Sequence, residues 1–272
     1  MRLAFVGGGN MARAIIGGLL AKDAVKSDEV LVVEPDASAR LRLLAEYGVK
    51  AVEAPGPDLA YAHAVVLAVK PQHMREAAER LAAVAGDSLF ITIAAGIRIA
   101  DLSRWLGGRT RIVRTMPNTP ALVHAGVTGL HAPEGTSEPD RALAERLMGA
   151  VGATVWFEHE SELDAVVAVS GSGPAYVFYA IEALEEAARE LGLADGAARS
   201  LALWTFVGAT KLAIERGEEP AVLRAQVTSR GGTTEAAIGV LDAAAVKQKF
   251  IDAVRAARDR SIEMGEALGK DP

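Results

Sequence analysis

The sequence predicts an α/β fold in which an open parallel sheet with crossover helices is followed by an all-helical region. Three observations carry this. Short apolar, β-branched runs alternate with longer amphipathic ones through the first half of the chain. A glycine-rich turn follows the first of these runs. After Glu158-His159-Glu160-Ser161-Glu162 the strand-like runs stop and the pattern turns helical to the end. The expected domains are therefore 1–158 and 159–272.

Leu3 to Val6 is the first strand candidate, and it leads through Gly7-Gly8-Gly9-Asn10-Met11-Ala12 into the helical run Ala14 to Leu20. Val30 to Val33 is the second, ending at Glu34. In the next helix, Ser38 to Tyr47, Leu41, Leu44 and Ala45 share a side and Gly48 is a stop. Ala64 to Val69, Leu89 to Ile93, Arg111 to Thr115, Val127 to Leu130 and Thr154 to Phe157 complete the strands. In the second region Ile181, Leu184, Ala188 and Leu191 form a helical stripe, repeated by Val246, Phe250, Val254 and Ala257. The stretch Leu201 to Val207 is apolar nearly all the way round, so it must be enclosed by other protein, and a second copy of the chain supplies that enclosure.

Composition narrows the function. The 272 residues are 50% hydrophobic and 24% charged, which excludes disorder as the main state. A formal charge of −6 and 5% aromatic residues give neither the field nor the rings that nucleic-acid binding needs. There is no cysteine, hence no disulfide, thiolate cage or cysteine nucleophile, which suits a reducing cytoplasm. The longest apolar stretch, Ala165 to Ile181, is interrupted by Gly171-Ser172-Gly173-Pro174, and the first residues lack a signal peptide's apolar core, so neither a membrane span nor export is expected. His63, His73, His124, His131 and His159 are scattered without ligand spacing, and no metal is expected.

Gly7 to Ala12 is a Gly-x-Gly-x-x-Ala turn between a strand and a helix, the context of a Rossmann-type dinucleotide site. Gly7 permits the tight turn and Gly9 lets backbone approach a pyrophosphate. Ala12 lets the helix pack closely, and Asn10 and Met11 open the helix whose N-terminus faces the anion. Glu34, at the end of the second strand, accepts hydrogen bonds from a ribose 2′-hydroxyl and repels a 2′-phosphate, favouring NAD. Arg40 and Arg42 either neutralise a phosphate or are solvated helix residues. Ala68, Val69, Lys70 and Pro71 end one strand and Ala94, Ala95 and Gly96 the next. Ligands lie beyond the carboxyl ends of parallel strands, so these residues, with Asn118 in the rigid loop Arg114 to Pro120, are candidate cofactor-binding residues.

Together with Val69-Lys70-Pro71 and Arg114-Thr115-Met116-Pro117-Asn118-Thr119-Pro120, two later motifs complete a pattern spanning both regions. They are Val169-Ser170-Gly171-Ser172-Gly173-Pro174-Ala175-Tyr176 and Val227-Thr228-Ser229-Arg230-Gly231-Gly232-Thr233-Thr234-Glu235. The whole resembles pyrroline-5-carboxylate reductase. The resemblance implies an N-terminal Rossmann domain, a C-terminal helical dimerisation domain, and a homodimer or ring of dimers. It also implies reduction of 1-pyrroline-5-carboxylate to L-proline, the last step of proline biosynthesis, by NADPH or NADH, usually NADPH. By the same resemblance Thr234 is the catalytic residue, hydrogen-bonded near the substrate ring nitrogen. Ser229, Gly231, Gly232, Thr233 and Thr234 receive the substrate carboxylate.

Physics supports that placement independently. Ser229 to Thr234 precede the helical run Glu235 to Leu241, and glycine-rich backbone with free amides at a helix N-terminus suits a small anion. Ser229 or Thr233 can serve as N-cap, and Ser172 and Pro174 read as N-cap and first residue of another helix. Two positions depart from the family pattern, Arg230 where proline is common and Glu34 where NADPH-using relatives carry a small or polar residue. Of the rival readings, 3-hydroxy acid dehydrogenases resemble one another in a lysine at the position held here by Val177, and a non-catalytic dinucleotide-binding scaffold needs no acid–base pair.

Overall fold

The computed structural model describes residues 1–270. One sheet contains β1 (Leu3–Val6), β2 (Val30–Val33), β3 (Lys50–Val52), β4 (Ala64–Leu67), β5 (Leu89–Thr92), β6 (Ile112–Met116), β7 (Gly126–His131) and β8 (Gly152–Trp156). Their order across the sheet is β3-β2-β1-β4-β5-β6-β7-β8. Pairing is parallel from β3 through β6 and again between β7 and β8, while β6 and β7 are antiparallel. The sequence predicts seven of these strands with ends shifted by a residue or two. It does not predict β3, whose three residues are exposed or half-buried and too few to show a period.

Helices α1 (Asn10–Ala21), α2 (Ala37–Tyr47), α3 (Met74–Ala82), α4 (Ile99–Trp105), α5 (Glu138–Met148) and α6 (Glu162–Val166) accompany the sheet. Strands β1, β4 and β5 are buried along their whole length, which is why they read as continuous apolar runs. Successive residues feed opposite faces. Phe5, Val32, Val66 and Ile91 share a core with Ile15, Ile16 and Leu19 of α1 and Leu147 of α5. Val6, Val65, Leu67 and Phe90 share another with Met74, Ala78 and Leu81 of α3 and Leu102 of α4.

The remaining helices are α7 (Gly173–Glu190), α8 (Asp195–Arg216), α9 (Pro220–Gln226), α10 (Thr233–Ala243) and α11 (Val246–Leu268). Contacts divide the chain into two compact units, one holding Met1–Ser172 with the end of α11 from Ala257 onward, the other Gly173–Ala256. Unit one thus extends beyond the boundary at residue 158 and recovers the end of the last helix. Arg114 explains part of this. Only 4% exposed, it lies 3.1 Å from Glu160, which also accepts the Ile99 N–H, and 3.9 Å from Asp164. Ser261 of α11 donates to Asp164 at 2.8 Å. A buried cation without these carboxylates would be costly, so the segment after β8 stays with the sheet.

Between α6 and α7 the chain makes a π turn, Val167–Gly171, instead of breaking. The Ser172 N–H donates to the Val167 carbonyl at 2.8 Å, so Ser172 continues a helical path and is not the N-cap expected from its sequence. Unit two buries few apolar side chains of its own, chiefly Ile181, Ala198 and Ala202, with Tyr176 set edge-on to Phe250 at 5.5 Å. Trp204 is 70% exposed, and Leu201, Leu203 and Val207 are exposed beside it. The helix that the sequence marks for enclosure is not enclosed within this chain.

Candidate active site

In unit one, the turn after β1 is built by close approach. Gly7 has φ +97°, and a Cβ there would stand 2.6 Å from the Ala68 carbonyl oxygen. Only glycine fits. A Cβ on Gly9 would meet nothing within 4 Å, so that backbone faces open space, as a cradle for a pyrophosphate must. Gly9 is the N-cap of α1 without a side-chain cap, and Arg13 is the first residue whose N–H returns to the Gly9 carbonyl. The amides of Asn10, Met11 and Ala12 therefore have no intrahelical partner. Ala12 is fully buried, which permits the close packing of α1 on the sheet.

A cleft of about 500 Å³ opens beside this turn. Gly7, Gly9, Glu34, Ala68, Val69 and Lys70 line it, so the structure brings together six residues that the sequence singles out. Pro35, Glu53, Pro55, His73, Glu76, Ala77 and Arg80 line it too, and sequence reasoning missed all seven. Glu53 and Pro55 follow the unpredicted β3. His73, Glu76, Ala77 and Arg80 recur at helical spacing, a signal visible only once α3 is placed beside β4.

Asn10, Met11, Ala12, Pro71, Ala94, Ala95, Gly96 and Asn118 are not among the lining residues. Gly96, at φ +75°, packs against Gly265 and Leu268 of α11. Asn118 is only 9% exposed; its amide donates to the Ser170 carbonyl in the π turn at 3.1 Å and its oxygen accepts the Val127 N–H at 2.9 Å. Both ends of that side chain hold protein together. A larger cleft, about 860 Å³, lies at the amino ends of β5 and β6, where Arg111 and Asp140 are already paired. Among the described residues no group of histidines and carboxylates is arranged to hold a metal, and no helix is long and apolar enough to cross a membrane.

Glu34 is fixed at both oxygens. One accepts the Gly8 N–H at 2.8 Å and the other the Asp36 N–H at 2.9 Å. The Arg40 guanidinium turns to the carbonyls of Glu34 and Pro35 at 2.8 and 2.7 Å and lies 3.8 Å from Glu53. Asp36 caps α2 by accepting the Ala39 N–H at 2.6 Å. Its carboxyl is held below the usual range by the Ser38 hydroxyl and that amide.

In unit two, Val227 to Gly232 form a turn between α9 and α10. The Gly232 N–H donates to the Ser229 carbonyl at 3.0 Å, and Gly231 takes φ +75°. A Cβ on Gly232 would collide with Ser229 Oγ at 2.6 Å. Helix α10 begins two residues earlier than expected, with Gly232 as N-cap, so Thr233 is its first residue and does not cap it. The amides of Thr233, Thr234 and Glu235 are thus free of intrahelical partners. Glu235 reaches back to accept the Gly231 N–H at 2.7 Å. Thr234 is half-buried, whereas Ser229, Arg230, Gly231 and Thr233 are exposed.

Residues 160–264 match the family model for pyrroline-5-carboxylate reductase dimerisation, and residues 2–96 match that for NADP oxidoreductase, coenzyme F420-dependent. The chain is 43% identical over 270 residues to the pyrroline-5-carboxylate reductase of Pseudomonas aeruginosa, covering 99% of this chain and 98% of that protein. The solved pyrroline-5-carboxylate reductase of Coxiella burnetii superposes with a TM-score of 0.90 at 40% identity, covering 97% of this chain and 98% of that one. The Plasmodium falciparum pyrroline carboxylate reductase, solved with NADP bound, has a TM-score of 0.86 at 26% identity, over 97% of this chain and 98% of that one.

Proposed function

The chain belongs to the pyrroline-5-carboxylate reductase family, and from that premise we propose that it reduces 1-pyrroline-5-carboxylate to L-proline with NADH or NADPH. The observation that carries this is that the chain holds both a glycine turn open at Gly9 in unit one and, in unit two, a glycine turn, Gly231 and Gly232, heading α10. We assign 1–158 to dinucleotide binding and 159–272 to substrate binding and dimerisation. The exposed apolar helix α8 supports a homodimer or a ring of dimers, and we place the enzyme's action in the cytoplasm, with which a chain without cysteine is compatible.

The cofactor fits the residues present, because Gly7 closes the turn, Gly9 leaves room for approach and free amides of α1 face an anion. When bound, the reduced nicotinamide supplies a hydride to the imine carbon. The chain's own part is mostly orientation. Backbone amides of Thr233, Thr234 and Glu235, aided by the α10 dipole, hold the substrate carboxylate. The Thr234 hydroxyl hydrogen-bonds near the ring nitrogen, which carries its proton already or takes one from water. Threonine is too weak an acid to do more than orient and hydrogen-bond. Val177, where 3-hydroxy acid dehydrogenases resemble one another in a lysine, gives no base for removing a hydroxyl proton, and imine reduction needs none.

The test is incubation with 1-pyrroline-5-carboxylate and NADH or NADPH, following loss of reduced-cofactor absorbance and formation of proline. Consumption with equimolar proline supports the reading. Folded protein that consumes neither cofactor would leave a binding scaffold.

A further inference from the structure

The carboxylates around the cleft bear on which dinucleotide this chain takes. Glu34 cannot swing aside cheaply, because the Gly8 and Asp36 amides hold its two oxygens at 2.8 and 2.9 Å. It therefore presents a fixed negative charge where the second strand ends, the position that meets the adenosine ribose in this fold. Glu53 lines the same cleft from beyond β3, and Glu76 from α3. Two neighbouring arginines are already engaged. Arg40 donates to two carbonyls and lies beside Glu53, and Arg80 pairs with Glu76 at 2.6 Å. His73 and Lys70 also line the cleft, but Lys70 follows β4, on the other side of β1 from Glu34.

We propose that Glu34 makes this chain an NADH-preferring enzyme, an inference that rests on reading the cleft as the dinucleotide site. A ribose 2′-hydroxyl donates to a carboxylate already in place, whereas a 2′-phosphate meets the charge of Glu34 with Glu53 lining the same cleft, and Arg80, which lines that cleft, is already paired with Glu76. The same carboxylate shapes the glycine turn through Gly8. Selection and loop geometry therefore reside in one side chain.

Two readouts test this on the whole 272-residue chain. Calorimetric titration with NADH and NADPH reads affinity without catalysis, and initial rates with 1-pyrroline-5-carboxylate read kcat/KM for each. The expected result is that NADH exceeds NADPH by roughly tenfold or more in both. In Glu34→Gln, which keeps one backbone acceptor and removes the charge, that ratio should fall at least about tenfold. Equal or tighter binding of NADPH to the unaltered chain would overturn the proposal, as would an unchanged ratio in a folded Glu34→Gln protein. Absence of turnover with intact NADH preference in calorimetry would instead refute the proposed reaction, and binding of neither dinucleotide would refute both.

Discussion

Glu34 and Glu235 show one device used twice: a carboxylate reaches back to the amide of a glycine turn, Gly8 in one case and Gly231 in the other. Each fixes backbone in a turn proposed to receive an anion. Thr234 stands in the first turn of α10, behind the second of these. Replacing it by alanine should lower kcat by about tenfold to a hundredfold, the worth of a hydrogen bond to a charged group, while dinucleotide affinity measured by calorimetry stays nearly constant. Unchanged turnover would remove Thr234 from the mechanism. Gly7, Gly9, Glu34 and Lys70 are legible from sequence because a short local pattern demands them. Asn118 is legible as a residue of a rigid loop beyond the sheet's carboxyl edge, but its partners Val127 and Ser170 are not, because the fold brings them to it.

At the scale of elements, the strands declare themselves because both faces of the sheet are covered, which selects uninterrupted apolar runs. Strand β3 escapes because it is an edge of three residues beginning with the exposed Lys50. The reversal between β6 and β7 is not local information either; it depends on which neighbour each strand finds. The glycines and Pro174 near residue 172 read as a break, yet a π turn carries the helix through. Capping is read more easily. Ser137 accepts the Asp140 N–H at 3.3 Å at the start of α5. Ser137→Ala should cost about 1 kcal/mol in chemical denaturation, and no change would show that the bond is idle.

Asp140 ties that same helix to the sheet unit through Arg111, at 2.8 Å, while itself only 7% exposed. The Arg111 hydrogen bond holds its carboxyl below the usual range, against the opposing effect of burial. Because the folded value is depressed, the pair stabilises the protein above the unfolded carboxylate value of about 3.9 and ceases to do so as pH falls through the folded value. Asp140→Asn should therefore be less stable than the unaltered chain at neutral pH, and the two acid-denaturation curves should converge below about pH 4. A constant difference down to the lowest pH would assign the effect to packing.

For the whole molecule, the plainest feature is an incomplete unit, helices of 173–256 with many exposed apolar residues, of which the sequence marks the stretch Leu201 to Val207. Trp204 and Tyr179 are 70% and 75% exposed. A chain in the dimerisation family solves this by association. Trp204→Glu should shift sedimentation toward a smaller species, and an unaltered sedimentation coefficient would place the interface elsewhere. Reduction of the imine is the claim on which the other functional statements depend. Its most direct test uses cofactor deuterated at the transferable C4 position with 1-pyrroline-5-carboxylate, analysing the product by mass spectrometry and NMR. One deuterium at the former imine carbon of proline is the expected result; unlabelled proline, or none, would contradict it.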